Sequence, residues 1–324
     1  MSTLLLRVLF LVTAPIGVSG TTDNSAGGDG WPNGKFKRAI IIGIDGLGGN
    51  YLKYMDRTLT PKLWDIINSP AACYNLLART EYPLDSAPNW VAVLTGMTPS
   101  ETGILNNKWR VDALDPQSLF DDRVPPVSGP GQLPPTFFSV AKKYNKDIRT
   151  ASVYSWKWLD KLVDEKSLDH HFMSNDDDGK TADDLIEQLN SDNPPHLAFI
   201  QLSEVDNAGH TFSWGSDEYY AALKHMEEII VNIVGTLRVK EIAKETLIVI
   251  TSDHGGYKKG HSEWMRYTAE VPIIFFSPYR FMKKSGPDGL SGWLDIKDVA
   301  PTVLGAMGIP VGEFQRGGDF SSLF

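Results

Sequence analysis

Apolar runs rich in β-branched residues alternate along this chain with stretches of helical periodicity. The pattern predicts strands at 38–44, 148–153, 197–202, 246–251 and 271–276. It predicts helices at 61–68, 88–96, 134–143, 180–190, 216–238 and 296–307. The clearest stripe lies in 216–238, where Ala222, Met226, Ile229, Ile230, Ile233 and Leu237 share one face. Strands separated by helices imply an α/β fold, a doubly wound and mostly parallel sheet with helices on both faces. Residues 36–324 read as one domain, preceded by a glycine-rich lead-in at 21–35. Residues 101–133 are proline-rich and aperiodic, and are expected to form a surface loop near the site. Trp109 and Phe120 in that loop are candidates to line a substrate pocket or, equally, to anchor the loop by packing.

Composition narrows the function. The 324 residues carry 31 Lys+Arg against 40 Asp+Glu, a net charge of −9, with no basic run. A surface that grips duplex nucleic acid is therefore not expected. An acidic protein that handles an anionic substrate needs local positive charge, which bound metal ions would supply. Residues 1–20 read as a signal peptide, with Arg7 ahead of the short apolar run Val8–Val12 and small residues at Gly17, Ser19 and Gly20. That run is too short to span a bilayer, so a secreted or periplasmic product is expected. The lone Cys73 is read as a core residue rather than a reactive thiol.

The chemistry sits where the predicted strands end. Asp45 follows the run 39–44, Asp206 and His210 follow 197–202, and Asp253 and His254 follow 247–251, with His261 seven residues beyond His254. Carboxyl ends of strands are where an open α/β sheet gathers its functional groups. Three aspartates, three histidines and the hydroxyl of Ser86 are enough ligands for two zinc ions. Zinc suits three imidazoles better than magnesium does, with manganese as the other option. Gly46 lets the chain turn sharply behind Asp45. Asp206 and His210, four apart, share one side of a helical turn and can reach one metal. Ser86 precedes a helix that has Pro88 just inside it, which places the hydroxyl either as a plain cap or at a phosphate-attracting helix start. Asn89, one turn on, is a candidate donor to a phosphoryl oxygen. His170, His171, His196 and His225 lie outside these clusters and are assigned no role.

Together these stretches resemble the alkaline phosphatase superfamily, in particular its type I phosphodiesterase/nucleotide pyrophosphatase branch. The resemblance runs from about Arg38 to Gly318 and rests on 44–46, 86–89, 102–104, Asp206-x-x-Gly209-His210, 252–255, 260–261 and the closing stretch 299–304. It implies a two-zinc phosphoric ester hydrolase. Asp45, Ser86, Asp253 and His254 would hold the zinc that activates the nucleophile. Asp206, His210 and His261 would hold the other, at the leaving oxygen. Ser86 would form a covalent phosphoryl- or nucleotidyl-serine, with Asn89 on a non-bridging oxygen and a small phosphate ester such as a nucleotide as substrate. The chain departs from the branch in carrying serine where threonine is usual and in lacking the segment that separates the last histidine in long animal members. A phosphomonoesterase of the same superfamily is the alternative, with Lys108 and Arg110 as candidate cations. A sulfatase fits less well, because Trp90 stands where its signature has arginine. An inactive secreted binding protein also fits less well, because the ligand set is complete.

Overall fold

In a computed structural model of the chain, which describes residues 32–109, 133–287, 289–312 and 315–324, seven strands form one sheet. They are β1 (Arg38–Ile44), β2 (Ala72–Arg79), β3 (Thr150–Tyr154), β4 (His170–Met173), β5 (Leu197–Leu202), β6 (Thr246–Thr251) and β7 (Glu270–Phe276). Their order across the sheet is β2-β7-β6-β1-β5-β3-β4. The five strands from β6 to β4 are mutually parallel, whereas β7 runs antiparallel to both β6 and β2. The mostly parallel α/β sheet expected from the sequence is therefore present, with one reversed strand near its edge.

Side-chain alternation explains why helices cover both faces. In β1, Ala39 and Ile41 enter one hydrophobic cluster, while Ile40, Ile42 and Ile44 enter another. The first cluster is completed by α3 (Ser86–Thr95), α5 (Phe137–Tyr144) and α10 (Val299–Ala306), and the second by α2 (Pro61–Ile67), α6 (Asp178–Asn190) and α8 (Asp217–Val239). Strands buried on both faces read as continuous apolar runs, which is why β1, β5, β6 and β7 were evident from the sequence. Two strands were not. β2 is interrupted between Asn75 and Ala78, and β4 is a four-residue edge strand that alternates half-buried with exposed residues. Short helices α1 (Gly49–Tyr54), α4 (Pro99–Thr102), α7 (Glu204–Phe212) and α9 (Arg266–Ala269) complete the described elements. Cys73 is buried in the first cluster, and burial pushes its thiol up to about 12. No helix among the described residues is long and apolar enough to cross a membrane. Residues 1–31, which include the stretch read as a signal peptide and most of the expected lead-in, and residues 110–132, which include Arg110 and Phe120, lie outside the described residues.

Register fixes the position of the site. Ile44 of β1 pairs with Leu202 of β5, and Gly43 pairs with Thr251 of β6. The three loops that follow these strands therefore leave the sheet side by side.

Candidate active site

Asp45 is the first residue beyond β1, and its amide still donates to Leu202 O at 2.9 Å. The chain then reverses at Gly46, where φ is +70°. A side chain there would also meet Asp206, whose Cα lies 2.8 Å from an ideal Cβ position, so conformation and space both demand glycine. Gly46 N donates to Asp253 Oδ1 at 3.2 Å, and Leu47 N donates to Ser252 Oγ at 2.9 Å. These bonds fasten the β1 turn to the β6 turn.

The histidines follow one rule. Nδ1 of His254 faces Gly255 O at 2.9 Å, Nδ1 of His261 faces Leu84 O at 2.9 Å, and Nδ1 of His210 faces Lys259 O at 3.0 Å. A carbonyl oxygen only accepts, so each Nδ1 carries the proton and donates it. Each Nε2 is then left with a free lone pair, the form a metal binds. Nε2 of His254 lies 3.2 Å from Ser86 Oγ, 3.4 Å from Asp253 Oδ2 and 3.6 Å from Asp45 Oδ1. Nε2 of His210 lies 3.4 Å from Asp206 Oδ2, across the single turn of α7 that the spacing predicted. The rings of His254 and His261 stack at 3.8 Å, and His261 lies 5.1 Å from His210.

Ligand atoms of Asp45, Asp253 and His254 lie within 4.8 Å of one another, and so do those of Asp206, His254 and His261. His254 thus stands between two adjacent groups. One buried oxygen of each aspartate, Asp45 Oδ1, Asp206 Oδ1 and Asp253 Oδ2, has no hydrogen-bond partner. Buried carboxylate oxygens are costly when unpaired. Three of them beside three free imidazole nitrogens form a donor set that fits divalent cations with nitrogen and oxygen ligands.

The electrostatics point the same way. Burial pushes the carboxyl of Asp45 well above the usual carboxylate range, and the neighbouring charges of Asp253 and Asp206 push it further. Burial and the charge of Asp206 raise Asp253 to about 8. Asp206 is raised chiefly by burial. Burial, with the neighbouring imidazoles of His254 and His210, pushes His261 down to about 3. Three carboxylates and neutral imidazoles in so small a volume call for cationic charge to offset them.

Residues 39–259 match the family described as type I phosphodiesterase/nucleotide pyrophosphatase. The chain belongs to that family. It is 23% identical over 263 residues to human ectonucleotide pyrophosphatase/phosphodiesterase family member 1, covering 77% of this chain and 27% of that protein. It is 27% identical over 205 residues to GPI ethanolamine phosphate transferase 1 of Yarrowia lipolytica, covering 61% of this chain and 22% of that protein. The chain thus spans roughly a quarter of the length of these curated relatives. A structure of murine ectonucleotide pyrophosphatase/phosphodiesterase 5, an inactive threonine-to-alanine variant in complex with AMP, shares the fold with a TM-score of 0.65 at 10% identity, covering 88% of this chain and 99% of that one.

Two residues expected at the substrate are elsewhere in this family member. Asn89 is fully buried, and its carboxamide is used up. Nδ2 donates to Pro83 O and Asp85 O, both at 2.8 Å, while Oδ1 accepts from Glu81 N at 2.8 Å and Thr80 Oγ1 at 2.6 Å. Asn89 therefore staples the loop 80–85 that leads into Ser86 and has no donor left for a phosphoryl oxygen. Trp109 is 6% exposed and packs in the first hydrophobic cluster, so it anchors its loop rather than lining a pocket. Ser86 itself is the first residue of α3, Asp85 before it makes no side-chain capping bond, and the Ser86 hydroxyl faces His254.

Four supporting residues escaped the sequence reading. Trp90 Nε1 and Gln201 Nε2 each donate to Asp45 Oδ2 at 3.0 Å. A lone glutamine in the apolar run of β5 was the available signal for Gln201. Asn107 accepts from Ala87 N at 2.8 Å through Oδ1, which fixes a carboxamide beside Ser86. Nothing in the spacing of the aperiodic loop singles it out. Trp214 packs between the loops that carry the ligands, and only the folded chain reveals it.

Proposed function

We propose that the protein is a two-metal phosphoric ester hydrolase, preferring phosphodiesters and pyrophosphates, in which Ser86 forms a covalent phosphoryl- or nucleotidyl-serine. The observation that carries this reading is the uniform orientation of three histidines. Each is tied through Nδ1 to a main-chain carbonyl, and the Nε2 atoms stand among unpaired oxygens of Asp45, Asp206 and Asp253. Asp45, Asp253, His254 and Ser86 would hold one zinc ion, and Asp206, His210 and His261 the other. Two such ions supply Lewis-acid charge that favours the serine alkoxide and offsets charge on the leaving oxygen.

The remaining steps belong to the chain. Ser86 loses its proton to solvent, and its Oγ bonds to phosphorus as the bond to the leaving oxygen breaks; the leaving group departs as an alcohol or phosphate. Water then attacks phosphorus, the bond to Oγ breaks and Ser86 regains a proton. The free Nδ2 side of Asn107, anchored at Ala87, takes the binding role first expected of Asn89. Murine ectonucleotide pyrophosphatase/phosphodiesterase 5, inactive as a threonine-to-alanine variant and bound to AMP, supports both a hydroxyl nucleophile and a nucleotide substrate here.

The organic part of the ester meets an aromatic pair at the rim. Tyr82 is 70% exposed, Trp264 is 51% exposed, and their rings make an edge contact at 6.0 Å. Tyr82 sits four residues before Ser86 and Trp264 three after His261, on two loops joined by the bond between His261 and Leu84. Against a sulfatase stands Trp90, buried at the arginine position with its indole committed to Asp45. Residues 1–20 are proposed to direct export, which sequencing the N-terminus of the secreted product tests.

The deciding experiment loads the protein with zinc and compares bis-p-nitrophenyl phosphate with p-nitrophenyl phosphate, before and after chelation. Faster diester hydrolysis that chelation abolishes is expected. Faster monoester hydrolysis would select the phosphomonoesterase alternative. Absence of turnover on every ester with two zinc ions bound would overturn the hydrolase reading.

A further inference from the structure

Trp214 lies in the turn just beyond α7, and it touches all three ligand-bearing loops. Its Nε1 donates to Gly46 O at 2.8 Å, directly behind Asp45. Its ring is edge-on to His210 at 5.0 Å and to His261 at 6.1 Å. Its amide donates to Lys258 O at 2.7 Å, and the next carbonyl, Lys259 O, takes the Nδ1 hydrogen of His210. The tight turn 257–260 that delivers His261 is therefore docked on α7 by Trp214 and His210 together. The indole, 5% exposed, has room only because two positions lack side chains. An ideal Cβ on Gly209 would come within 2.6 Å of the ring, and one on Gly256 would overlap it more severely. Spacing that makes residues 209 and 256 both glycine is thus explained by a single ring wedged between helix and loop.

We infer that Trp214 is a positioning residue for the metal pair. It sets the gap between His210 and His261, whose rings stand 5.1 Å apart. Through Gly46 it also holds that half of the site in register with Asp45. Phenylalanine would keep an aromatic wall but lose the bond to Gly46, whereas leucine would lose both. The inference rests on the two-metal reading above, and its test separates the two.

Zinc bound per chain is measured for the wild-type protein, Trp214→Phe and Trp214→Leu by titration against a competing chelator. The wild type takes up two ions. Each variant is expected to keep one ion, at Asp45, Asp253 and His254, and to bind the second at least ten-fold more weakly, with excess zinc restoring it. Loss of a residue that orients a metal-binding side chain typically costs about 10–100-fold in metal affinity. Cobalt(II) gives a second readout, because the ion bound at His210 and His261 should quench indole emission in the wild type and quench it much less in Trp214→Phe. Two ions bound by both variants with wild-type affinity, or equal quenching in Trp214→Phe, would overturn this proposal alone. Fewer than two ions bound by the wild type would overturn the two-metal reading and this inference with it.

Discussion

Trp90 Nε1 and Asp45 Oδ2 are joined by a 3.0 Å hydrogen bond that decides which oxygen of Asp45 is free. Gln201 Nε2 reaches the same oxygen at 3.0 Å, so Oδ1 is left unpaired beside His254. A carboxylate held this way is aimed before any cation arrives. Trp90→Phe keeps most of the buried ring and removes one donor. It should weaken zinc binding at Asp45 by about 10-fold or more, against a 10–100-fold range for such partners. Competition with a chromophoric chelator measures this, and an unchanged constant would remove Trp90 from the metal site.

Ser86→Ala separates chemistry from metal binding. The other ligands of its metal, Asp45, Asp253 and His254, are all still present in the variant. Zinc should therefore raise the melting temperature of wild type and variant to a similar degree, since a ligand at 100 times its Kd adds about 2.7 kcal/mol to stability. Diester hydrolysis should fall by about three orders of magnitude or more, as expected when the group that forms the covalent intermediate is lost. Retained turnover would take Ser86 out of the mechanism.

Asn89 and Asn107 should fail in different ways. Asn89→Ala removes the side-chain partner of Glu81 N and of the Pro83 and Asp85 carbonyls in a half-buried loop, a loss of about 1–3 kcal/mol for an unsatisfied group, visible as a lower melting temperature. Asn107→Ala should barely move melting and should cost about 10²–10³ in kcat, the usual price of one preorganised donor to a developing oxyanion. If Asn89→Ala melts normally yet loses kcat, the two assignments are reversed.

The difference between these asparagines shows how far the chain could be read unfolded. The carboxylates and imidazoles after β1, β5 and β6 stood out because doubly buried strands give long apolar runs, and polar groups are conspicuous where those runs stop. The partner of a side chain is another matter. Asn89 lies one helical turn from Ser86, which made it look available, but the carbonyls of Pro83 and Asp85 that consume its amide depend on how the loop folds. Trp109 was judged by the composition of its loop, whereas its burial is set by elements distant in sequence. Trp214 could not be weighed at all, since glycines at 209 and 256 acquire a common cause only when one ring is seen between them.

The aromatic rim is tested by a split between KM and kcat. Base–aromatic stacking is worth about 1–3 kcal/mol. Trp264→Ala and Tyr82→Ala should therefore raise KM for p-nitrophenyl nucleotide esters about 5- to 100-fold and leave zinc content intact. Trp264→Phe should recover most of the loss. A KM that stays at the wild-type value in both alanine variants would place the substrate elsewhere.

His196, far from this chemistry, predicts how stability depends on pH. It is 6% exposed at the start of β5, and its Nδ1 accepts from Arg149 N at 3.0 Å. Burial first, then the charges of Arg38, Arg149 and Lys142, push its pKa down from 6.5 to about 3, with Asp169 opposing them. The folded imidazole is thus neutral where the unfolded one is protonated. Between about pH 6.5 and pH 3 the unfolded chain binds the extra proton, so stability contributed by this residue is complete above pH 6.5 and falls away as the pH drops toward 3. One proton corresponds to a slope of at most about 1.4 kcal/mol per pH unit. His196→Gln keeps an acceptor for Arg149 N and cannot titrate. Urea unfolding of metal-free protein at pH 7.5, 6.0 and 5.0 should show the wild type losing stability faster than the variant, the two curves converging toward low pH. Parallel curves would mean that His196 takes up its proton in the folded state as readily as in the unfolded chain.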